Sequence, residues 1–214
     1  MAIITYPLDG IEYSASDAET YLCTRSSGVF FDKGIFPAEI IGNREIGIGR
    51  GLAWIRNDEF KGKSIANDSA AAVTIDTADG ALDRIDRIVL QFDQVKNASF
   101  ITVKKGTPQT NPEPPEVIQT PLLYELGLYT VRVRAGSLTV LESDIVNTMA
   151  DESVCGYMRD NVTEEGMSIP GAAEGSIVAT DANGNLVASS VKVEKLGTGA
   201  TYRLDGTTLY ITTL

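Results

Sequence analysis

The clearest alternation of apolar and polar positions lies between residues 84 and 92. Ile88, Leu90 and Phe92 fall on one side of this segment, and Arg87, Val89 and Gln91 fall on the other. A period of two predicts a β-strand with one side packed inward. Residues 100–104 alternate in the same way, and a turn at 94–98 would pair them antiparallel to the first strand. Further strands are predicted at residues 53–56, 71–75 and 124–135, with a turn at Asn57-Asp58.

Other segments do not have the pattern of a strand. Residues 14–23 predict one short helix, in which Ser16 caps the first turn and Glu19 reaches back to it. Residues 106–118 contain four prolines and predict an extended crossover outside any hydrogen-bonded ladder. Residues 141–148 fit either a brief helix or an irregular turn.

The C-terminal quarter predicts two β-hairpins. Asn183-Gly184 and Asp205-Gly206 each separate two short apolar runs, as tight hairpin turns do. Because residues 151–175 are rich in glycine, serine and acidic side chains, we predict one β-rich domain at 1–160 and a hairpin region at 161–214. The expected fold class is mainly β: an antiparallel β-sandwich or barrel-like domain with one short N-terminal helix, plus a small C-terminal β-hairpin region.

Composition excludes several functions. The net charge of −11 opposes binding to nucleic acid. The chain has no histidine, which removes Ser-His and Cys-His catalytic pairs and histidine zinc ligands. Cys23 and Cys155 are expected to be reduced and buried. The N-terminus lacks basic and apolar stretches, so we expect no signal peptide and no membrane insertion.

Motifs with possible chemistry have simpler interpretations. Gly62-Lys63-Ser64 lacks the first glycine of a phosphate loop, and the glycines between Gly47 and Gly51 have the wrong spacing for a dinucleotide loop. Residues 181–185 resemble a calcium loop without its glutamate, so a hairpin turn is expected. Candidate catalytic carboxylates for polysaccharide hydrolysis are the side chains of Asp58, Glu59, Asp76 and Asp79. These four carboxylates belong only to the alternative of an enzyme. The preferred interpretation assigns no catalytic, cofactor or metal residue.

Doubled Asp-Arg pairs at 83–84 and 86–87 mark the entrance of the strongest strand. Arg84 and Asp86 share one side of it, where a bidentate ion pair could fix the register. The alternative is two solvated surface pairs of little energetic value. The residues expected to anchor the core are Trp54, Ile88, Leu90, Phe92, Tyr124 and Val131.

Residues 81–89, the segment 105–108, the proline run 112–115 and the segment 124–126 together resemble phage proteins. These are the baseplate and tail-fibre proteins of tailed phages and of prophages in Gram-positive bacteria; residues 51–55 and 151–156 resemble flanking segments of the same family. The resemblance implies a β-sandwich or barrel-like shoulder in a trimeric or higher assembly. The C-terminal hairpins are similar to distal ends of tail fibres.

The expected function is that of a non-catalytic structural protein of a phage tail tip, which supports host attachment. Expected partners are other tail or baseplate proteins, further copies in a trimer and a host-surface glycan; the location would be the virion, after synthesis in the host cytoplasm. No cofactor is expected. Tyr202 and Tyr210 are the proposed contact residues, since tyrosine offers contact area with a polar tip. The alternatives are a tail-associated polysaccharide depolymerase and a bacterial surface carbohydrate-binding adhesin.

Overall fold

The computed structural model describes residues 9–10, 12–31 and 34–159, and the backbone of strands at 176–180, 186–192, 201–205 and 208–212. The protein is mainly β, its sheets are antiparallel, and a short helix lies near the N-terminus, so the expected fold class is confirmed. The chain folds as two compact units, Met1–Val162 and Thr163–Leu214.

Helix α1 spans Ala15–Leu22. The strands of the first unit are β1 (Gly28–Val29), β2 (Ala38–Gly42), β3 (Glu45–Ile48), β4 (Gly51–Asp58), β5 (Lys61–Asn67), β6 (Ala71–Thr74), β7 (Arg84–Asp93), β8 (Ala98–Lys104), β9 (Leu123–Val133) and β10 (Ile145–Asn147). Those of the second unit are β11 (Ser176–Thr180), β12 (Leu186–Lys192), β13 (Thr201–Asp205) and β14 (Thr208–Thr212).

The described part of the first unit contains three antiparallel sheets. Their strand orders are β1-β4-β5, β2-β3-β6 and β10-β9-β7-β8. The predicted pairing of β7 with β8 is confirmed, with Gln91 opposite Phe100 and Ile88 opposite Val103. Strand β7 also pairs along its whole length with β9, from Arg84 opposite Val133 to the far end of both strands. Because β7 lies between β9 and β8, it is an interior strand of its sheet.

The start of helix α1 differs from the prediction. Ser14, with extended backbone (φ −87°, ψ 166°), precedes the first helical residue, and its amide donates to Asp17 Oδ2 at 2.7 Å. Ser16 therefore lies inside the first turn, and the assignment of Ser16 and Glu19 as the cap is wrong. Asp17, not Glu19, is the acidic residue of the cap. Its negative charge interacts favourably with the positive end of the helix dipole.

The turn between β4 and β5 also differs. Strand β4 continues to Asp58, and the turn residues are Glu59 and Phe60 rather than Asn57 and Asp58. Asn57 is buried, and its Nδ2 donates to the carbonyl of Pro121 at 3.0 Å. This distant partner takes up the amide donor of Asn57, while Asn57 Oδ1 is buried without a partner among the described residues, and no local turn signal reveals either.

The core lies between the sheets and confirms most of the expected anchors. Trp54, Ile88, Leu90, Phe92 and Val131 are buried. Tyr124 is only half-buried against the cluster, so its assignment to the core interior is wrong. It lies near the start of β9, at the end of the sheet. Burial of only one side of β7 was expected, but both sides are covered. Val89 is fully buried and Arg87 is 6% exposed.

The proline-rich segment is not part of a ladder, as predicted, but it is fastened to the sheet. Gly106 N donates to Asp86 Oδ1 at 2.8 Å, and Arg87 Nε donates to the carbonyl of Pro115 at 2.7 Å. Further along, Glu125 Oε2 accepts from Ile118 N at 2.7 Å and from Lys104 Nζ at 2.6 Å. Residues 141–148 form a 3-10 turn (Glu142–Asp144) followed by β10.

In the second unit the two predicted hairpins are present. Strand β11 pairs with β12, and β13 pairs with β14. Tyr202 is opposite Ile211, and Tyr210 is opposite Arg203. The side chains of both tyrosines lie outside the described residues, so their contact role stays a prediction.

Candidate binding cleft between three loops

An open cleft of about 340 Å³ lies at the end of the first unit where strand β7 begins. Three connections form it: the β2–β3 turn, the segment after β6 and the turn after β9. We call it the loop cleft, and its lining residues are Asn43, Arg44, Thr77, Ala78, Gly136, Ser137 and Leu138. Its volume is at the lower end of the roughly 300–1,000 Å³ typical of small-molecule sites.

Backbone hydrogen bonds join the three connections. Val140 N donates to the carbonyl of Asn43 at 2.8 Å, and Ile75 N donates to that of Arg44 at 2.8 Å. Gly136 N donates to the carbonyl of Asp79 at 2.7 Å. Gly136 has φ +66°, a left-handed conformation that glycine adopts without strain. The loops are therefore tied to one another rather than independently mobile.

Arg84 supports the cleft from the core. Its Nη1 donates to the carbonyl of Thr77 and its Nη2 to that of Asp76, both at 2.6 Å. The same guanidinium forms a bidentate pair with Asp86, with Nε 2.9 Å from Oδ1 and Nη2 3.2 Å from Oδ2. The two side chains are 1% and 0% exposed, so the predicted pair is confirmed and the alternative of solvated surface pairs is wrong for these residues.

Three polar side chains of the cleft have no partner within the described part of the chain. They are the half-buried guanidinium of Arg44, the amide of Asn43 and the hydroxyl of Thr77. Ala78 and Leu138 add an apolar wall, and Leu138 is 81% exposed. A cation, an amide and a hydroxyl beside an apolar surface can together hold a small polar ligand.

The acids close to the cleft are already engaged. Asp76 pairs with Lys105 at 2.6 Å, and this hydrogen bond lowers the pKa of Asp76. Asp79 Oδ1 accepts from the amides of Ala81 and Leu82 at 2.8 and 3.0 Å, which lowers the pKa of Asp79. Neither carboxylate is paired with Arg44, whose guanidinium is left available to an anion from outside.

The four candidate catalytic carboxylates do not form one group. Asp58 and Glu59 belong to the end of β4 and the turn after it, and Asp58 Oδ1 accepts from the amide of Glu59 at 2.8 Å. Asp76 and Asp79 lie in the segment that follows β6. The residues described include no group of three or more histidine, cysteine, aspartate or glutamate side chains placed to hold a metal ion.

Trp54 is 7% exposed, in agreement with its predicted place in the core. Its ring is covered by Phe30, at a centroid distance of 6.2 Å, and by the Arg25 guanidinium at 5.2 Å. Tyr21 lies on the same guanidinium at 5.9 Å. These side chains form a cation-aromatic cluster on one flank, which the strand pattern did not predict.

The glycine motifs have structural roles. Gly62 is in strand β5, where an added Cβ would lie 2.5 Å from the backbone carbon of Leu22. Gly47 is in β3 and Gly51 is in β4, so neither motif forms a loop around phosphate. The calcium-loop candidate at 181–185 lies outside the described residues. Cys23 and Cys155 are free thiols; Cys155 is buried as expected, but Cys23 is only half-buried.

Sequence reasoning missed the cleft and its central residue, Arg44. The segment Asn43-Arg44 has only the polar character of a hairpin turn, and the other walls come from residues far along the chain. No helix in the described ranges is long and apolar enough to span a membrane. Compared with protein-family models, with curated proteins and with solved structures, the chain shows no match.

Proposed function

We propose that the protein is a non-catalytic structural protein of a phage tail tip, part of a baseplate or tail fibre, which supports attachment to a host surface. The observation that carries the proposal is the position of the segments that resemble phage proteins. Arg84 and Asp86 come from one of them and Gly106 from another, and the three meet in one buried hydrogen-bonded group. Polar groups that are engaged in buried hydrogen bonds of this kind stiffen the fold and are not available for catalysis.

The state of the acids favours binding over polysaccharide hydrolysis. A glycosidase needs one carboxylic acid with a raised pKa to protonate the leaving group. Two of the candidate carboxylates, Asp76 and Asp79, have a lowered pKa instead, because hydrogen bonds from Lys105 and from the amides of Ala81 and Leu82 stabilise their charged forms. Groups held as carboxylates in this way are poor proton donors.

A second surface of the first unit supports the assembly role. At the other end of β7, Phe60, Val95 and Leu122 are 64%, 81% and 62% exposed, and we call them the apolar end. Two hydrogen bonds hold these segments together, from Asn57 Nδ2 near the end of β4 to the carbonyl of Pro121 and from Gln94 N to that of Leu122. Large apolar side chains grouped on connected loops are typical of an interface, and we propose that they pack against other copies in a trimer.

Light scattering tests the assembly role. The wild-type chain should have the mass of a trimer at micromolar concentration. Val95→Glu should lower that mass, whereas Leu138→Glu should leave it unchanged, because Leu138 is equally exposed (81%) at the opposite end. A monomeric wild type, or equal masses for both variants and the wild type, would count against the apolar end as the interface.

Incubation with cell-wall polysaccharide from Gram-positive bacteria tests the non-catalytic role. We expect no new reducing ends above the level of a heat-denatured sample. Release of sugar in proportion to protein concentration would replace the proposal with the depolymerase.

A further inference from the structure

We infer that the loop cleft binds an acidic sugar, a polyhydroxylated ring that carries a carboxylate. This inference rests on the proposed binding function and specifies its ligand. The argument begins with Arg44, the half-buried guanidinium that has no partner in the described part of the chain. A guanidinium is planar and presents a fork of N–H donors that matches a carboxylate in two hydrogen bonds.

Arg44 differs from the other arginines at the cleft end of the first unit in its pairing with carboxylates. Arg84 is neutralised by Asp86 at 2.9 Å, Arg132 by Asp83 at 2.7 Å and Arg134 by Asp144 at 2.6 Å. Arg44 alone among these four lines the cleft without a carboxylate. Within the described residues the guanidinium donors of Arg44 are not engaged, and a ligand carboxylate matches their planar arrangement.

The rest of the lining fits the ring of a sugar. The Asn43 amide supplies both a donor and an acceptor, and the Thr77 hydroxyl supplies either. Leu138 and Ala78 provide an apolar surface for the C–H groups of the ring. The cleft is open and about 340 Å³, which admits a terminal or branching residue of a longer chain.

The site is also held in place before any ligand arrives. Arg84 fixes the carbonyls of Asp76 and Thr77, and Ile75 N fixes that of Arg44. Little backbone ordering therefore remains to oppose binding. The Ser137 hydroxyl donates to the carbonyl of Thr139 at 2.6 Å, so it shapes the turn and is a minor contributor to ligand contacts.

Amide chemical shifts of the ¹⁵N-labelled full chain test the inference, with sodium glucuronate, glucose and sodium acetate as probes. Glucuronate should shift the amides of Arg44, Thr77 and Ser137 in a saturable way. Glucose lacks the carboxylate and acetate lacks the ring, so each should bind more weakly by about tenfold or more. Equal affinity for glucuronate and glucose, or equal affinity for glucuronate and acetate, would overturn the proposed ligand class.

Variants locate the effect. Arg44→Gln should weaken glucuronate binding by about tenfold or more, and Arg44→Lys should weaken it less, because lysine keeps the charge but loses the planar fork. Arg50→Gln is the matched control, since Arg50 is exposed and outside the cleft lining. An unperturbed spectrum in the rest of Arg44→Gln shows that the fold is retained. If Arg44→Gln binds glucuronate as the wild type does, the site is wrong.

Binding of fluorescently labelled protein to intact Gram-positive cells separates this inference from the proposed function. If the Arg44→Gln variant binds cells as well as the wild type does, the cleft is not the contact site while attachment stands. Glucuronate shifts without cell binding would leave the cleft in place and remove the attachment role.

Discussion

Arg84 and Asp86 share one side of strand β7 and form a buried bidentate ion pair, with Arg84 Nε 2.9 Å from Asp86 Oδ1. Each member of the pair also holds a separate loop of the first unit. Arg84 holds the carbonyls of Asp76 and Thr77 beneath the loop cleft, and Asp86 holds the amide of Gly106 at the start of the proline-rich segment. Since the guanidinium and the carboxylate both have further partners at short distance, the pair acts as a joint between the core and two loops.

Arg84→Met should lower the free energy of unfolding by about 3–5 kcal/mol, because Asp86 is left as an uncompensated buried charge. Urea unfolding followed by circular dichroism measures the loss. Arg132→Met is the control. It breaks the ion pair with Asp83, in which the arginine is 57% exposed, so the loss in free energy of unfolding should be much smaller. Similar losses for both variants would contradict the assigned role of Arg84.

Gly106→Ala should lower the free energy of unfolding by about 1–3 kcal/mol. An added Cβ at this buried position would lie 2.0 Å from the carbonyl oxygen of Ile85, a backbone atom that has little freedom to move. Gly80→Ala is the matched control, since no atom lies within 4 Å of its Cβ. Urea midpoints for the two variants should therefore differ clearly, and a neutral Gly106→Ala would show that the proline-rich segment is loosely attached.

The features that the sequence predicts well are those determined by neighbours in the chain. The alternation in β7 and β8 and the turn between them define a hairpin, and the spacing of Arg84 and Asp86 puts both on one side of a strand. Local spacing decides each of these. The same is true of the two C-terminal hairpin turns.

The role of Asn57 and the loop cleft were missed because a distant partner decides the outcome, whereas the wrong helix cap was a local choice between Ser14 and Ser16. Asn57 was expected in a turn, but its amide is taken by the carbonyl of Pro121, which lies 64 residues away. The loop cleft combines residues 43–44, 77–78 and 136–138. Arg44 becomes a candidate ligand-binding residue only because the arginines around it find carboxylates in the fold and it does not, and no local pattern contains that information.

Tyr129→Phe should lower the free energy of unfolding by about 1–3 kcal/mol. The buried Tyr129 hydroxyl donates to the carbonyl of Phe36 at 2.9 Å, and Phe36 has φ +45°, a conformation that is unusual for a bulky residue. Loss of the hydroxyl leaves that carbonyl without its donor. Tyr124→Phe is the control because Tyr124 is half-buried and its hydroxyl forms no hydrogen bond in the described part of the chain. Thermal unfolding that is unchanged in Tyr129→Phe would contradict the expected contribution.

Stability should decline as the pH falls below about 4. Hydrogen bonds from Ala135 N and Arg132 lower the pKa of Asp83, and those from Lys96 N and the Lys96 side chain lower that of Asp93. A folded-state pKa below the unfolded value means that the stabilisation is fully present above the unfolded pKa and is lost as the pH falls through the folded one. Urea midpoints measured from neutral to acidic pH check this. Asp83→Asn should reduce the acid-dependent decline, and a midpoint that stays constant down to about pH 3 would contradict it.

Cys155 should resist alkylation in the folded protein, whereas Cys23 should react. Burial raises the pKa of Cys155 to about 12, and Cys155 is 5% exposed. Little of the reactive thiolate therefore forms, and the alkylating reagent has little access to it. Cys23 is half-buried, and its thiol donates to the carbonyl of Thr20 at 3.0 Å near the end of helix α1. Iodoacetamide labelling at about pH 8, followed by peptide mass spectrometry, separates the two sites. The Cys23→Ser variant should then stay unlabelled when folded and become labelled at Cys155 in denaturing urea. Rapid labelling of folded Cys23→Ser would mean that the segment around Gly156, whose carbonyl accepts from Val29 N at 3.0 Å, opens readily from strand β1.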